Sequence, residues 1–300
     1  MIRQQGVALV LVLWVVTLLS VIAGNFAFSM RGEAQIARNL LSTAQAQAQA
    51  DAGVHRAWYE LMKPPTELNR WIGDGSPHDL GLTDGVLRVS IQDESGKIDL
   101  NTASEGLLVG LFRSVGKTQE SAVALADCVQ DWRDADKLKR LHGAEEAEYV
   151  AAGKSYAPPN APFETIDELQ RVLGMTPQVF RLLEPALTVY SKQPGVNTAV
   201  APRQALLAIP DVNPDMVDQF LALRQSMTAA QQPAPVFVGA GAFASGPGGV
   251  PAYAARSEVK MADGTVFVRQ AIARITRDPK RPVVVLAWGE GDSEQSSGTK

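Results

Sequence analysis

The sequence has one cysteine, Cys128, which excludes an intrachain disulfide and any zinc site built on cysteines. Histidine is nearly as scarce: His55, His78 and His142 are scattered and outline no metal cluster. Basic residues are in no excess, the formal charge being −4, so nothing in the balance draws the chain to nucleic acid or anionic lipid. No G-x-S-x-G, P-loop or H-E-x-x-H pattern occurs, and no other catalytic constellation stands out. The chain therefore reads as a non-enzyme. Its 300 residues are enough for a sizeable core and more than one unit.

The longest absence is of charge, which is missing from Arg3 to Arg31. Residues 7–23 are apolar apart from Thr17 and Ser20. A helix rising ~1.5 Å per residue crosses a hydrocarbon core in about 20 residues, and backbone groups in lipid must be satisfied within it. Arg3 in front favours a cytoplasmic N-terminus and places everything after Arg31 on the far side. "VIAGNFAFSM" also offers small residues where a secretory signal would be cut, which would release a soluble exported protein. Against that, residues 31–63 contain no proline and are rich in Ala, Gln, Leu and Glu. The membrane helix therefore reads as continuing unbroken until Pro64.

The leader "MIRQQG", with its basic residue and Gly6, followed by an apolar stretch and a helical continuation, resembles a class III, type IV pilin-like signal. That resemblance implies cleavage after Gly6 by a prepilin peptidase, leaving Val7 as the new N-terminus and the helix in place. The fifth mature residue in that class is Glu, where this chain has Leu11. A carboxylate in lipid is costly unless paired, and in pilins its partner is the terminal amine of a neighbouring subunit. A chain without it suits a subunit with no neighbour above, at a filament tip.

Beyond the helix, "VLRVSIQ" alternates Leu87, Val89 and Ile91 with polar residues, as a half-buried strand does. Asp263-Gly264 separates two further strand-like runs and signals a hairpin. "RPVVVLAWGE" reads as a more deeply buried strand. The expected fold is α+β, with a long N-terminal helix on an antiparallel sheet and a helical domain inserted into it. The division expected is leader 1–6, helix 7–63, first part of the α/β domain 64–97, inserted α-domain 98–232, second part 233–290 and a disordered tail 291–300. The Gly- and Pro-rich residues 231–252 read as a flexible return to the sheet.

Two segments within the insertion share a hydrophobic-Asn-Thr-Ala start, at Asn101-Thr102 and Asn197-Thr198, where these residues are candidate N-caps. Thr165 or Asp167 would cap a third helix pair. The pattern resembles helix-hairpin-helix and SAM-like modules. DNA-binding members present paired hairpin glycines to a phosphate, which "RSVGKTQ", "VLGMTPQ" and "AIPDVNP" lack. Asp211 sits where an anion would lie, and Lys117 is the one hairpin lysine. Packing and protein contact is the preferred reading; a membrane-anchored DNA-binding protein of a competence-type system is the alternative.

Between these units, "QDWRDADKLKRLHGAEEAEYVAAG" carries Asp131, Asp134, Asp136, Glu145, Glu146 and Glu148. Hard oxygens in one loop are what Ca²⁺ takes, at about six to eight ligands, although the spacing is not that of an EF-hand. Lys137, Lys139 and Arg140 leave open simple surface ion pairs. A glycosidase-like acid-base pair lacks a platform beyond Trp132 and Tyr149, and His142 reads as a surface loop residue.

Taken in this order, the pilin-like start with Leu11, the helical insertion and "DWRDAD…GAEEAEY" are together similar to the K-type minor pseudopilin family of the bacterial type II secretion system. The resemblance implies a structural subunit at the tip of the periplasmic pseudopilus, supporting its initiation or capping and protein export. It implies a single pass through the inner membrane, partners among the I-, J- and H-type minor pseudopilins and the major pseudopilin, and no nucleic acid. Leu11, Trp14, Leu18 and Val21 would face membrane and partner helices. It also implies bound calcium with Asp131, Asp134, Asp136, Glu145 and Glu146 as ligand candidates, Lys137 standing where the family loop often has another acid. The intact mass of the chain made alongside a prepilin peptidase tests the start: a membrane-bound product beginning at Val7 is expected. An uncut chain, or one cut within residues 23–30, would contradict it.

Overall fold

The first helix, α1 (Gly6–Met62), runs 57 residues without a break and stops at Lys63-Pro64. This computed structural model describes residues 6–64, 66–67, 69–246, 250–276 and 278–292. Leader residues 1–5 and tail residues 293–300 lie outside the described residues, as do the side chains of Gly6 and Val7 at the expected cleavage site. Of the tail expected over 291–300, Gly291 and Asp292 are described and are hydrogen-bonded to Val268 and Arg256. Among the described residues, α1 is the one helix long and apolar enough to cross a membrane, with a mean hydropathy of 2.4 over its most apolar window. Thr17 and Ser20 donate to the carbonyls of Leu13 and Val16, each at 2.8 Å, so neither hydroxyl would meet lipid unpaired.

The second half of α1 packs on a sheet. Strands β1 (Asp74–Leu82) and β2 (Gly85–Asp93) form one hairpin; β5 (Ala252–Met261) and β6 (Val266–Ile275) form another, and β7 (Val283–Glu290) pairs with β6. All neighbours are antiparallel in the order β1-β2-β5-β6-β7. Ala46, Ala50, Val54, Ala57, Trp58 and Leu61 of α1 are buried against Leu87, Val89, Ile91, Val259, Ala271 and Ala273. Small residues recurring at helical spacing let the helix axis come close to the strands. At Gly53 the approach is closest, since an added Cβ would strike the Ser257 hydroxyl.

Two polar clasps fix this helix on the sheet. Ser42 donates to Asp263 at 2.5 Å and shares a second hydrogen bond with the Thr265 hydroxyl at 2.9 Å, tying α1 to the β5–β6 turn. Arg269 pairs with Asp51 at 2.6 Å beneath the Trp288 ring. Ser42 is also the first buried residue of α1; everything before it lies outside the folded core.

The helical unit enters between β2 and β5, which are sheet neighbours, so the chain leaves and returns at almost one point. A two-residue strand β3 (Ile98–Asp99) pairs in parallel with β4 (Leu187–Thr188) at its base. Its helices are α2 (Glu105–Ser114), α3 (Gln119–Arg133), α4 (Glu146–Ala151), α5 (Pro177–Leu183), α6 (Arg203–Leu207) and α7 (Pro214–Ala229). Leu107, Leu108, Leu111, Phe112, Trp132 and Tyr149 lie at the centre of a core separate from that of the sheet.

Several expectations are corrected. "RPVVVLAWGE" forms the edge strand β7, with Val284, Val285, Leu286 and Trp288 exposed rather than deeply buried. The strand β1, through Pro77 and Gly81, was not expected at all. Asn101 and Asn197 cap no helix: Ser104 caps α2 and Pro202 precedes α6. Asn101 instead exchanges two hydrogen bonds with the Phe163 backbone, and Asn197 donates to Ser95 at 3.1 Å. Thr165 does cap its helix, in a reciprocal box with Glu168. The segment expected as a flexible return packs on the helical unit, with Phe237 and Ala240 in its core, so that unit extends past residue 232.

Candidate functional site

Two regions hold the residues singled out by sequence. The first is the free half of α1. Leu11, Trp14, Leu18 and Val21 follow one another at spacings of 3 and 4 and share a helix face. All are exposed, Trp14 by 74%. The apolar exposure continues past Met30 to Ile36, Leu40 and Leu41, before Ser42 meets the sheet. At ~1.5 Å per residue, the stretch 31–41 holds the folded part about 16 Å beyond the apolar span.

The second is the acidic loop. Helix α3 ends at Arg133, whose guanidinium donates to the carbonyls of Leu100 at 2.5 Å and Ala103 at 2.9 Å. The chain then turns back along α3. The Arg140 amide donates to both Asp131 oxygens at 3.3 Å, and the His142 amide to Asp127 at 3.0 Å. Gly143 completes the fold-back, because any Cβ there would run into the Asp131 carboxylate. Glu145 caps α4, its amide donating to the Glu148 carboxylate at 3.0 Å in a capping box. Beneath the loop Trp132 packs against Tyr149 and Phe163, which makes these rings core rather than a platform for substrate.

Asp131 is wholly buried and is the centre of the group. Arg140 lies 3.5 Å from it and 3.6 Å from Asp134, bridging the two. Lys139 pairs with Glu148 at 2.7 Å. Asp136 is exposed; its side chain accepts from the Leu138 amide, and its carbonyl from the Asn160 side chain at 2.7 Å. Glu146 is exposed at the start of α4. Three buried oxygens have no hydrogen-bond donor: Asp134 Oδ1, Glu145 Oε1 and Asn160 Oδ1. Leaving such an atom unpaired costs about 1–3 kcal/mol. Among the described residues, no group of three or more His, Cys, Asp or Glu is gathered closely enough to hold a metal as it stands.

Burial raises the Asp131, Asp134 and Glu145 carboxyls above the ordinary carboxylate range, and their mutual charge adds to the effect. The Arg140 and Ala144 amides and the Arg140 charge offset only part of it at Asp131. Sequence reasoning missed Asp127 and Asn160. Asp127 lies one helical turn before Asp131, and Asn160 reaches the loop through a left-handed backbone at φ 50°. His142 is exposed, as expected, and Cys128 is buried, its thiol pushed up to about 12 by burial.

A family model described as type II secretion system (T2SS), protein K, matches residues 87–192, from β2 through the whole acidic loop. The chain is similar to the type II secretion system protein K of Klebsiella pneumoniae, 26% identical over 229 residues, or 69% of this chain and 70% of that one. It is 26% identical over 243 residues to protein K of Pseudomonas aeruginosa, covering 74% and 72%. Protein K of Aeromonas hydrophila is 28% identical over 236 residues, covering 69% and 70%. In fold, the chain is similar to a chain of the crystal structure of the GspK-GspI-GspJ complex from the enterotoxigenic Escherichia coli type 2 secretion system. The TM-score is 0.61 at 17% identity, covering 85% of this chain and 99% of that one.

The raised carboxyls fix a pH dependence. A group whose folded value lies above its unfolded one stabilises most below the unfolded range, and that contribution is lost as pH rises through the folded value. The cluster therefore costs stability at neutral pH and less in acid. In divalent-free buffer Asp134→Asn is expected to melt above the wild type near neutral pH, the gap closing towards the ordinary carboxylate range. A gap that is constant with pH, or of the opposite sign, would contradict this.

Proposed function

We propose that the chain is a member of the protein K family of the type II secretion system, a structural minor pseudopilin seated at the tip of the pseudopilus. The observation that carries this reading is α1: one unbroken helix whose first half is apolar and, among the described residues, covered by nothing of the chain's own. Exposed apolar side chains in lipid gain nothing from the hydrophobic effect, so association there rests on close packing with other helices. The face of Leu11, Trp14, Leu18 and Val21 would meet partner helices within the inner membrane, with the sheet and helical unit in the periplasm. The GspK-GspI-GspJ complex of similar fold supports I- and J-type partners; the H-type and the major pseudopilin would follow below them.

Leu11 suits the uppermost position. With no subunit above to supply a terminal amine, a carboxylate at that depth would stay desolvated and unpaired, and leucine avoids this cost. The helical unit between β2 and β5 widens the molecule, and a wide top would obstruct further addition from that end. Its role is to start or cap the filament in protein export, without catalysis.

Calcium at the acidic loop belongs to the same reading. The donor chemistry suits a hard cation: Asp131, Asp134, Asp136 and Glu145 supply oxygens that would draw together around it, and three buried oxygens there have no donor. The Asn160 side chain adds one of those oxygens, and Glu146 borders the group from solvent. Bound there, Ca²⁺ would supply two positive charges to carboxyls that repel one another. The residues themselves then hold the loop after α3 against the start of α4, stiffening this end of the helical unit.

The full chain, tagged and extracted in mild detergent after co-expression with I- and J-type minor pseudopilins, is expected to carry both with it. Leu11→Glu is expected to lower the recovered complex several-fold. A chain that purifies without either partner, or a Leu11→Glu variant that assembles and secretes normally, would overturn the assignment.

A further inference from the structure

We propose that Arg140 is a built-in counter-ion of the acidic loop, holding Asp131 and Asp134 while no cation is bound and giving them up when one arrives. The inference rests on the calcium reading above and concerns how that site is regulated. Asp131 is wholly buried, and an ionised carboxylate cannot stay buried without compensation. Arg140 is the cation that reaches it, since Lys139 is turned to Glu148.

Its hold is loose. The guanidinium stands at 3.5 and 3.6 Å from the two carboxylates, against 2.6 Å for Arg269 on Asp51 and for Arg203 on Asp218. The side chain remains 41% exposed, so it can leave for water without crossing the core. Its backbone amide is fixed on both Asp131 oxygens, so the side chain can swing out while the loop keeps its path. Nor does Arg140 complete the site. Arg133 and Lys139 act on the group only from farther off, their own hydrogen bonds going to Leu100, Ala103 and Glu148, and Asp134 Oδ1 and Glu145 Oε1 still lack a donor. A divalent cation offers more charge and accepts those oxygens, so the exchange gives up only weak, part-exposed ion pairs.

Binding strength is then set by a competition within the chain. Isothermal titration of CaCl₂ into the full chain in detergent tests it, comparing wild type, Arg140→Met and Lys137→Met. The last removes the same charge from an exposed neighbour and controls for the general field. Arg140→Met is expected to bind Ca²⁺ roughly threefold to tenfold more tightly, and Lys137→Met to change little, because the removed competitor is a part-exposed pair. With chelator, Arg140→Met should melt below wild type; in saturating Ca²⁺ the deficit should vanish. Arg140→Gln serves as a second variant should the Met form fail to fold.

Unchanged or weaker affinity in Arg140→Met, with the wild type binding, would overturn this inference and leave the calcium reading intact. An equal gain in Lys137→Met would overturn it too, as a field effect. Binding by none of the three chains would overturn the calcium reading itself, and this inference with it.

Discussion

The rest of the molecule depends on how α1 lies on the sheet. Ala46, Ala50, Gly53 and Ala57 present almost no side chain, so the helix sits close over β2, β5 and β6. Ser42 on the β5–β6 turn and Asp51 on Arg269 then fix its position along the strands. Because one end of a continuous helix is held this firmly, the other end is aimed as well. The apolar residues before Ser42 are carried out of the folded body as a rigid extension. A helix meant only to retain the protein in a membrane could be joined by a loose linker; this one transmits the orientation of the sheet to whatever packs beside it.

The same sheet positions the helical unit. Its two connections leave neighbouring antiparallel strands, so a large insertion adds little to the entropy of closing the sheet. Gln92 on the Val200 carbonyl at 2.8 Å and Arg274 on the Tyr190 carbonyl at 3.1 Å tie the insertion back to the strands. The wide part of the molecule is thereby held at the end of α1 farthest from its apolar half, with its own core and its own acidic loop.

Much of this was legible in the residues. An uninterrupted run without proline gave the helix, the alternation of Leu87, Val89 and Ile91 gave β2, and Asp263-Gly264 gave the hairpin. What was hidden depends on tertiary context. Strand β1 has few apolar residues and a proline, and it exists because its backbone pairs with β2 at the sheet edge. The apolar run of β7 looks like a buried strand, yet it lies at the other edge with several of those side chains exposed. Asn101 and Asn197 look like caps and are cross-links between distant loops. At the acidic loop the ligand chemistry was visible in composition. The burial of Asp131 and the placing of Arg140 and Asn160 follow from the fold-back at Gly143.

On the proposed function, the exposed helix is an assembly surface and the helical unit closes the top of the filament. Photo-crosslinking within living cells that contain the whole secretion machinery tests this most directly, with a photoreactive residue placed at Trp14 or Leu18. The account predicts adducts with other pilin-like chains and none between two copies of this chain, since the proposed tip position has room for one copy. Adducts between copies, or with lipid alone, would contradict it.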